Sequence, residues 1–301
     1  MHLPQSGGLP ERISEQDLFD LTLLAEDYGV THFIGPMVTG WTKHHDEWWT
    51  DTVGSGVGTS FLVQLQKRIW VVWIFGQTNL FHRLTTLLIQ EVTLDKNSEL
   101  HVGDATLVGI RERHNIPRVP GLFDYVKKEY RDRIQALRDV LEKATSINDG
   151  QFCFLYSCSD KEQAMCDSII TGSIIRGHQR YVSEPARNND TKQSIRALYD
   201  HLRKVPIYNY PTIPSEGIPD KHGRTHDYCN PGPWIRERLF WAFDGVGRTL
   251  DNDMEKSLIR HARNTGLKSP AEVPEPNDGL DNPANDVEPD GDESCGSEMA
   301  I

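Results

Sequence analysis

The segment Phe61–Phe75, FLVQLQKRIWVVWIF, constrains the fold more than any other. Apolar residues fall at almost every position, so no single stripe can be buried while the rest stays wet. Such a segment suits a helix enclosed on most sides, and enclosure requires further helices packed around it. Suitable neighbours are visible as one-sided apolar periodicities. Leu18, Leu21, Leu24 and Ala25 share one face of a helix predicted over Glu15–Asp27, with Ser14 as its N-cap. Tyr28 and Gly29 break it, and Val30, Phe33, Ile34, Met37 and Val38 begin a second helix that should end near Trp41. Leu80, Leu84, Leu87, Leu88 and Val92 line another.

The clearest helix begins at Pro120, where Leu122, Val126, Tyr130, Ile134, Leu137 and Leu141 recur at steps of four or three. Lys127, Lys128, Arg131, Arg133 and Arg138 occupy much of its remaining surface, interleaved with Glu129, Asp132 and Asp139. That mixture reads as a solvated face laced with local ion pairs rather than a nucleic-acid surface. Further helices are predicted at about 161–176, 190–204 and 234–248, the first capped by Ser159 or Asp160. KHHDEWWTDTVGSGVGTS (residues 43–60) and residues 93–117 have no sustained period and read as connections. Residues 206–233, rich in proline and turn formers, form an irregular excursion. The expected fold class is therefore mainly α. It is an irregular array of about seven or eight helices over residues 15–266, behind a flexible arm at 1–14.

The net charge of −12 belongs to the C-terminus. From Ser269 onward there are ten acidic residues and no Lys or Arg, which leaves 34 acids against 32 bases in the body. Residues 267–301 are acidic, rich in Pro, Gly and Asn, and poor in anything a core could use, so they are predicted to be disordered. A nearly neutral body lacks the concentrated basic face that broad nucleic-acid binding requires. The N-terminus MHLPQSGGLPER has no apolar core of a secretory signal, and the longest apolar run, Ile69–Phe75, falls short of the ~20 residues that cross a bilayer. Five cysteines, an odd number, do not form a secreted disulfide framework. The expectation is a protein of the cytoplasm or nucleus with no membrane attachment.

One group of side chains has metal-ligand chemistry: Cys158, Cys166, His226 and Cys229. Zinc takes four thiolate or imidazole ligands in a tetrahedron, and His226-x-x-Cys229 is a compact pair within the proline-rich excursion. A structural zinc joining this pair to Cys158 and Cys166 would pin the excursion to the helical body. His222 is an alternative to His226. The competing reading makes Cys153 and Cys166 ordinary buried thiols. GSGVGTS (Gly54–Ser60) invites a phosphate-loop reading and hence a small-molecule or nucleotide enzyme. It lacks the lysine such loops use and a strand leading into it, so a connection between helices is the simpler account. His44 and His45 stand beside Asp46, Glu47, Trp48 and Trp49 without the i, i+4 spacing of helical metal ligands. No nucleophile–His–carboxylate arrangement is visible.

Several motifs occur in a recognisable order. LFDLTLLAEDYGVTHFIGPMVTGW (Leu18–Trp41) is followed by LQKRIWVVWIFGQTNLFHRLTTLLIQEV (Leu65–Val92), then VPGLFDYVKKEYRDRIQALRDVLEKA (Val119–Ala144). CFLYSCSDKEQAMCDSIITGSI (Cys153–Ile174) and HDYCNP (His226–Pro231) complete the series. Together, over residues 16–248, they resemble the terminal BTB helices and the following helical region of fungal BTB/POZ-domain proteins. The BTB core strands that precede these helices in the family have no counterpart ahead of Leu18, and the glycine-rich insert at 54–58 departs from its pattern. The resemblance implies a non-catalytic protein–protein interaction or adaptor role, with a cullin ubiquitin-ligase scaffold as one family partner. Dimerisation and cullin binding normally use the BTB core. A different expectation, independent of the resemblance, is a nuclear regulator whose acidic tail contacts basic partners.

Overall fold

A computed structural model describes residues 13–51, 58–146, 152–153, 159–180, 193–208, 229–245 and 250–267, with side chains except at 43–51 and 146. The chain divides after Leu267, and the acidic segment from Lys268 to Ile301 lies outside the described residues. Ten helices and three short strands are present among the described residues: α1 (Glu15–Asp27), α2 (Thr31–Asp51), α3 (Thr59–Ile74), α4 (Thr78–Glu91), β1 (Thr93–Leu94), β2 (Leu100–Val102), β3 (Ala105–Thr106), α5 (Leu107–Arg113), α6 (Leu122–Ser146), α7 (Asp160–His178), α8 (Ile195–Leu202), α9 (Gly232–Asp244) and α10 (Asn252–Asn264). The protein is mainly α.

Helix α3 is enclosed as its composition requires. Leu62, Leu65, Ile69, Trp70, Val72, Trp73 and Ile74 are all buried, with α1, α4, α5 and α10 packed around it. Each such side chain contributes about 1.5–3 kcal/mol when fully buried. Phe19 of α1 meets Trp70 edge-on at 5.4 Å between ring centroids. The same two helices are joined by a two-pronged ion pair, in which Arg68 donates from Nε to Glu15 Oε1 at 2.7 Å and from Nη2 to Oε2 at 2.6 Å. Ser14 caps α1 by accepting the Asp17 N–H, and Gly29, at φ +67°, turns the chain into α2.

Helices α5 and α10 lie where no helix is predicted, and two further stretches differ from expectation. Helix α2 continues past Trp41 to Asp51, because no glycine or proline interrupts the chain between Gly40 and Gly54. Residues 93–106, read as a connection, form a three-stranded antiparallel sheet in the order β1-β2-β3. Its first turn is closed by Asp95, whose Oδ1 accepts the backbone N–H groups of Asn97 (2.9 Å) and Glu99 (2.7 Å).

A further difference concerns α6. Its apolar stripe is buried as expected at Leu122, Val126, Tyr130, Leu137 and Leu141, but Arg133 does not stand on a solvated face. It is wholly enclosed, donating from Nη1 to the Phe243 carbonyl at 3.2 Å and pairing through Nε with buried Glu129 at 3.6 Å. Helix α9 packs across this side of α6, and the guanidinium meets its last turn, where unsatisfied carbonyls favour a cation. Helices α7, α8 and α4 also pack against α6, making it the second axis of the array.

Helix α10 closes the body against α3 and α4. Its His261 lies 5.4 Å from the Trp73 ring. Burial, then the neighbouring Arg260 charge, hold His261 below the ordinary histidine value of 6.5, while a hydrogen bond to the Ile74 backbone opposes them. An unfolded chain therefore takes up this proton more readily than the folded one. The stability contributed by neutral His261 is present above about pH 6.5 and is lost as the pH falls below it. Thermal melts between pH 7 and pH 5 should show the His261→Gln variant losing less stability over that interval than the parent.

Candidate metal centre

Three cysteines from three separate segments meet in the interior. Cys166 lies in the second turn of α7, which is fixed in place by a capping box at Ser159 and Glu162. Cys229 stands just ahead of α9, where Asn230 Oδ1 accepts the Gly232 N–H and starts the helix. Cys153 belongs to the short described stretch 152–153. That stretch is held against α7 by Asp167, whose Oδ1 accepts the N–H groups of Phe152 at 2.7 Å and Cys153 at 2.8 Å. Asp167 follows Cys166 directly in the chain, so the carboxylate that anchors one cysteine is adjacent to another.

The three sulfurs lie within 4.8 Å of one another, and all three residues are buried: Cys153 8%, Cys166 0% and Cys229 5% exposed. No disulfide joins them. Tetrahedral zinc with Zn–S bonds of about 2.3 Å places its thiolates about 3.8 Å apart, so this spacing needs a contraction of about 1 Å at most. α7 and α9 both pack against α6, which brings Cys166, on α7, close to Cys229, three residues ahead of α9.

Of the four ligands expected from sequence, the structure brings Cys166 and Cys229 together. Cys158 and His226 lie outside the described residues, as does His222. Sequence alone assigns Cys153 to ordinary core packing, and the structure places it beside the other two. No local spacing signals that, since Cys153 lies 13 positions before Cys166 and 76 before Cys229. The position of His226, three residues before Cys229, leaves an imidazole close in sequence to the cluster.

The other candidate features carry less. In the glycine-rich loop, residues 54–57 lie outside the described residues, and Gly58 caps α3 with no side-chain hydrogen bond. The side chains of His44 to Trp49 are likewise not among the described ones. Asp95, Glu99 and His101 gather on the β1–β2 hairpin, with His101 Nε2 3.3 Å from Asp95 Oδ2. Asp95 is held below the usual carboxylate range chiefly by the Glu99 N–H, so its charge is already committed to closing the turn. Among the described residues, no helix is long and apolar enough to cross a membrane.

Comparison with known proteins returns nothing: no family model, no curated protein and no solved structure matches this chain.

Proposed function

We propose that this protein is a non-catalytic helical scaffold whose C-terminal half is clamped by a structural zinc on Cys153, Cys166 and Cys229, acting as a protein–protein interaction adaptor. The observation that carries the metal reading is the meeting of three buried sulfurs from distant segments within 4.8 Å. Fixing three cysteines side by side in a core built mainly from Leu, Ile, Val and aromatic residues is a poor use of packing volume. It is a natural arrangement for a soft metal ion. His226, Cys158 or His222 would supply the fourth ligand, closing the coordination sphere and leaving no position for substrate. The adaptor role rests on the resemblance of residues 16–248 to the helical region of fungal BTB/POZ proteins and on the exposed apolar side chains Tyr28 and Phe33 where α1 gives way to α2.

Cobalt substitution tests the site directly. Loading the full chain with Co(II) after removal of bound metal should produce thiolate-to-cobalt charge-transfer absorption and the intense visible bands of a tetrahedral site. Both should disappear in Cys229→Ser. A spectrum unchanged from aqueous cobalt contradicts the proposal.

A further inference from the structure

A cleft of about 690 Å³ lies between α3, α6 and α10. Its size falls in the range of sites that hold a ligand or a few residues of peptide. None of the three cysteines lines it, so binding in this cleft goes beyond the zinc-held scaffold and does not depend on it.

The floor is apolar and soft: Trp70 and Trp73 from α3, Tyr125 from α6 and Met254 from α10. The walls carry charges of both signs. On α6 an acid in the first turn, Asp124, is followed one turn later by Lys128; on α10, Asp253 in the first turn is followed by Arg260. These four side chains are exposed, and none forms an ion pair with another. Opposite charges that line one cleft without pairing leave their fields available to something placed between them.

The spacing says what fits. At 1.5 Å per residue, Asp124 and Lys128 are offset by about 6 Å along α6, and Asp253 and Arg260 by about 10 Å along α10. In an extended peptide, side chains two residues apart are separated by about 6.6 Å and share one side, while the side chain between them points the other way. A central side chain directed at the indole floor thus turns its two neighbours toward the mouth of the cleft, where the exposed charges stand.

We propose that this cleft docks an extended peptide segment of a partner protein, with an aromatic or long aliphatic side chain flanked by one cationic and one anionic residue. Asp124 or Asp253 receives the cationic side chain, and Lys128 or Arg260 the anionic one. Neither a purely basic nor a purely acidic ligand satisfies both helices.

The probe is the capped tripeptide acetyl-Lys-Trp-Glu-amide, with acetyl-Gly-Trp-Gly-amide and acetyl-Lys-Gly-Glu-amide as controls. Saturation-transfer NMR with the full chain should show binding of the first at millimolar concentration and at least several-fold weaker transfer to both controls. Lys128→Glu and Arg260→Glu, which alter exposed residues only, should each reduce transfer several-fold while the circular-dichroism melt stays unchanged. Absence of transfer from the charged tripeptide overturns the proposal. So does equal transfer to the Gly-Trp-Gly control, which would reduce the cleft to an apolar surface, or equal transfer to Lys-Gly-Glu, which would reduce it to a charge patch.

Discussion

Gly76→Ala should destabilise this protein by on the order of 3 kcal/mol or more, the largest loss expected from adding a single methyl group anywhere in the described residues. Gly76 lies in the turn between α3 and α4 at φ +64°, and a Cβ there would stand 2.2 Å from the Ala262 nitrogen and 2.4 Å from the Leu258 carbonyl oxygen. Both obstacles are backbone of α10, so no rotamer change relieves them. The helix must move, and its contacts with α3 and α4 go with it. Gly35 on α2 approaches the same helix end as closely, with the Thr265 carbonyl oxygen 2.2 Å from where its Cβ would be. Helix α10 is thus seated in two glycine notches. Gly29→Ala is the control: its φ is +67°, but nothing lies within 4 Å of the added atom. It should cost only the backbone term of about 1 kcal/mol. Urea denaturation of the two variants separates the terms. Equal losses would mean that α10 is not seated against Gly76.

Arg133→Met should cost about 3–5 kcal/mol, because it leaves the Glu129 carboxylate buried without the guanidinium 3.6 Å away and removes the donor to the Phe243 carbonyl. The cost arises from the group left behind rather than from the pair's net worth. Replacing both partners in Glu129→Leu/Arg133→Met should therefore recover most of the loss, since desolvating the two charges roughly cancels their attraction. Arg133→Lys should fall between, as a single ammonium cannot serve the carboxylate and the Phe243 carbonyl at once. Equilibrium unfolding of Arg133→Met, Glu129→Leu and the double variant gives the coupling directly. If the double variant loses as much as Arg133→Met alone, the pair is stabilising in its own right; losses that simply add would mean that the two side chains do not interact.

Arg133 also marks where sequence reasoning reaches its limit. Ser14, Ser159, Gly29 and the stripe from Leu122 to Leu141 were legible because each depends on neighbours a few residues away. A cap needs the third N–H along, and a face needs steps of three and four. Arg133 stands three residues after Tyr130 and four before Leu137, at stripe spacing, whereas Arg131 does not and stays exposed. But the carbonyl that receives the guanidinium belongs to α9, more than 100 residues later, where no reading of α6 can find it. The same holds for the sulfur cluster. Cys166 and Cys229 were recognisable as ligand chemistry, but the arrival of Cys153 beside them turns on Asp167 gripping the backbone at 152–153, a contact without a motif. The strands at 93–106 were missed for another reason: at two or three residues each they are too short to show a period.

The metal content of the purified chain tests the central claim most directly. Protein prepared without chelator under reducing conditions should carry about one zinc per chain by mass spectrometry. Cys153→Ser, Cys166→Ser and Cys229→Ser should each lose it, with a lowered melting temperature. Absence of zinc from the parent chain, or its retention in all three variants, would contradict a zinc-clamped scaffold and return the three thiols to the hydrophobic core.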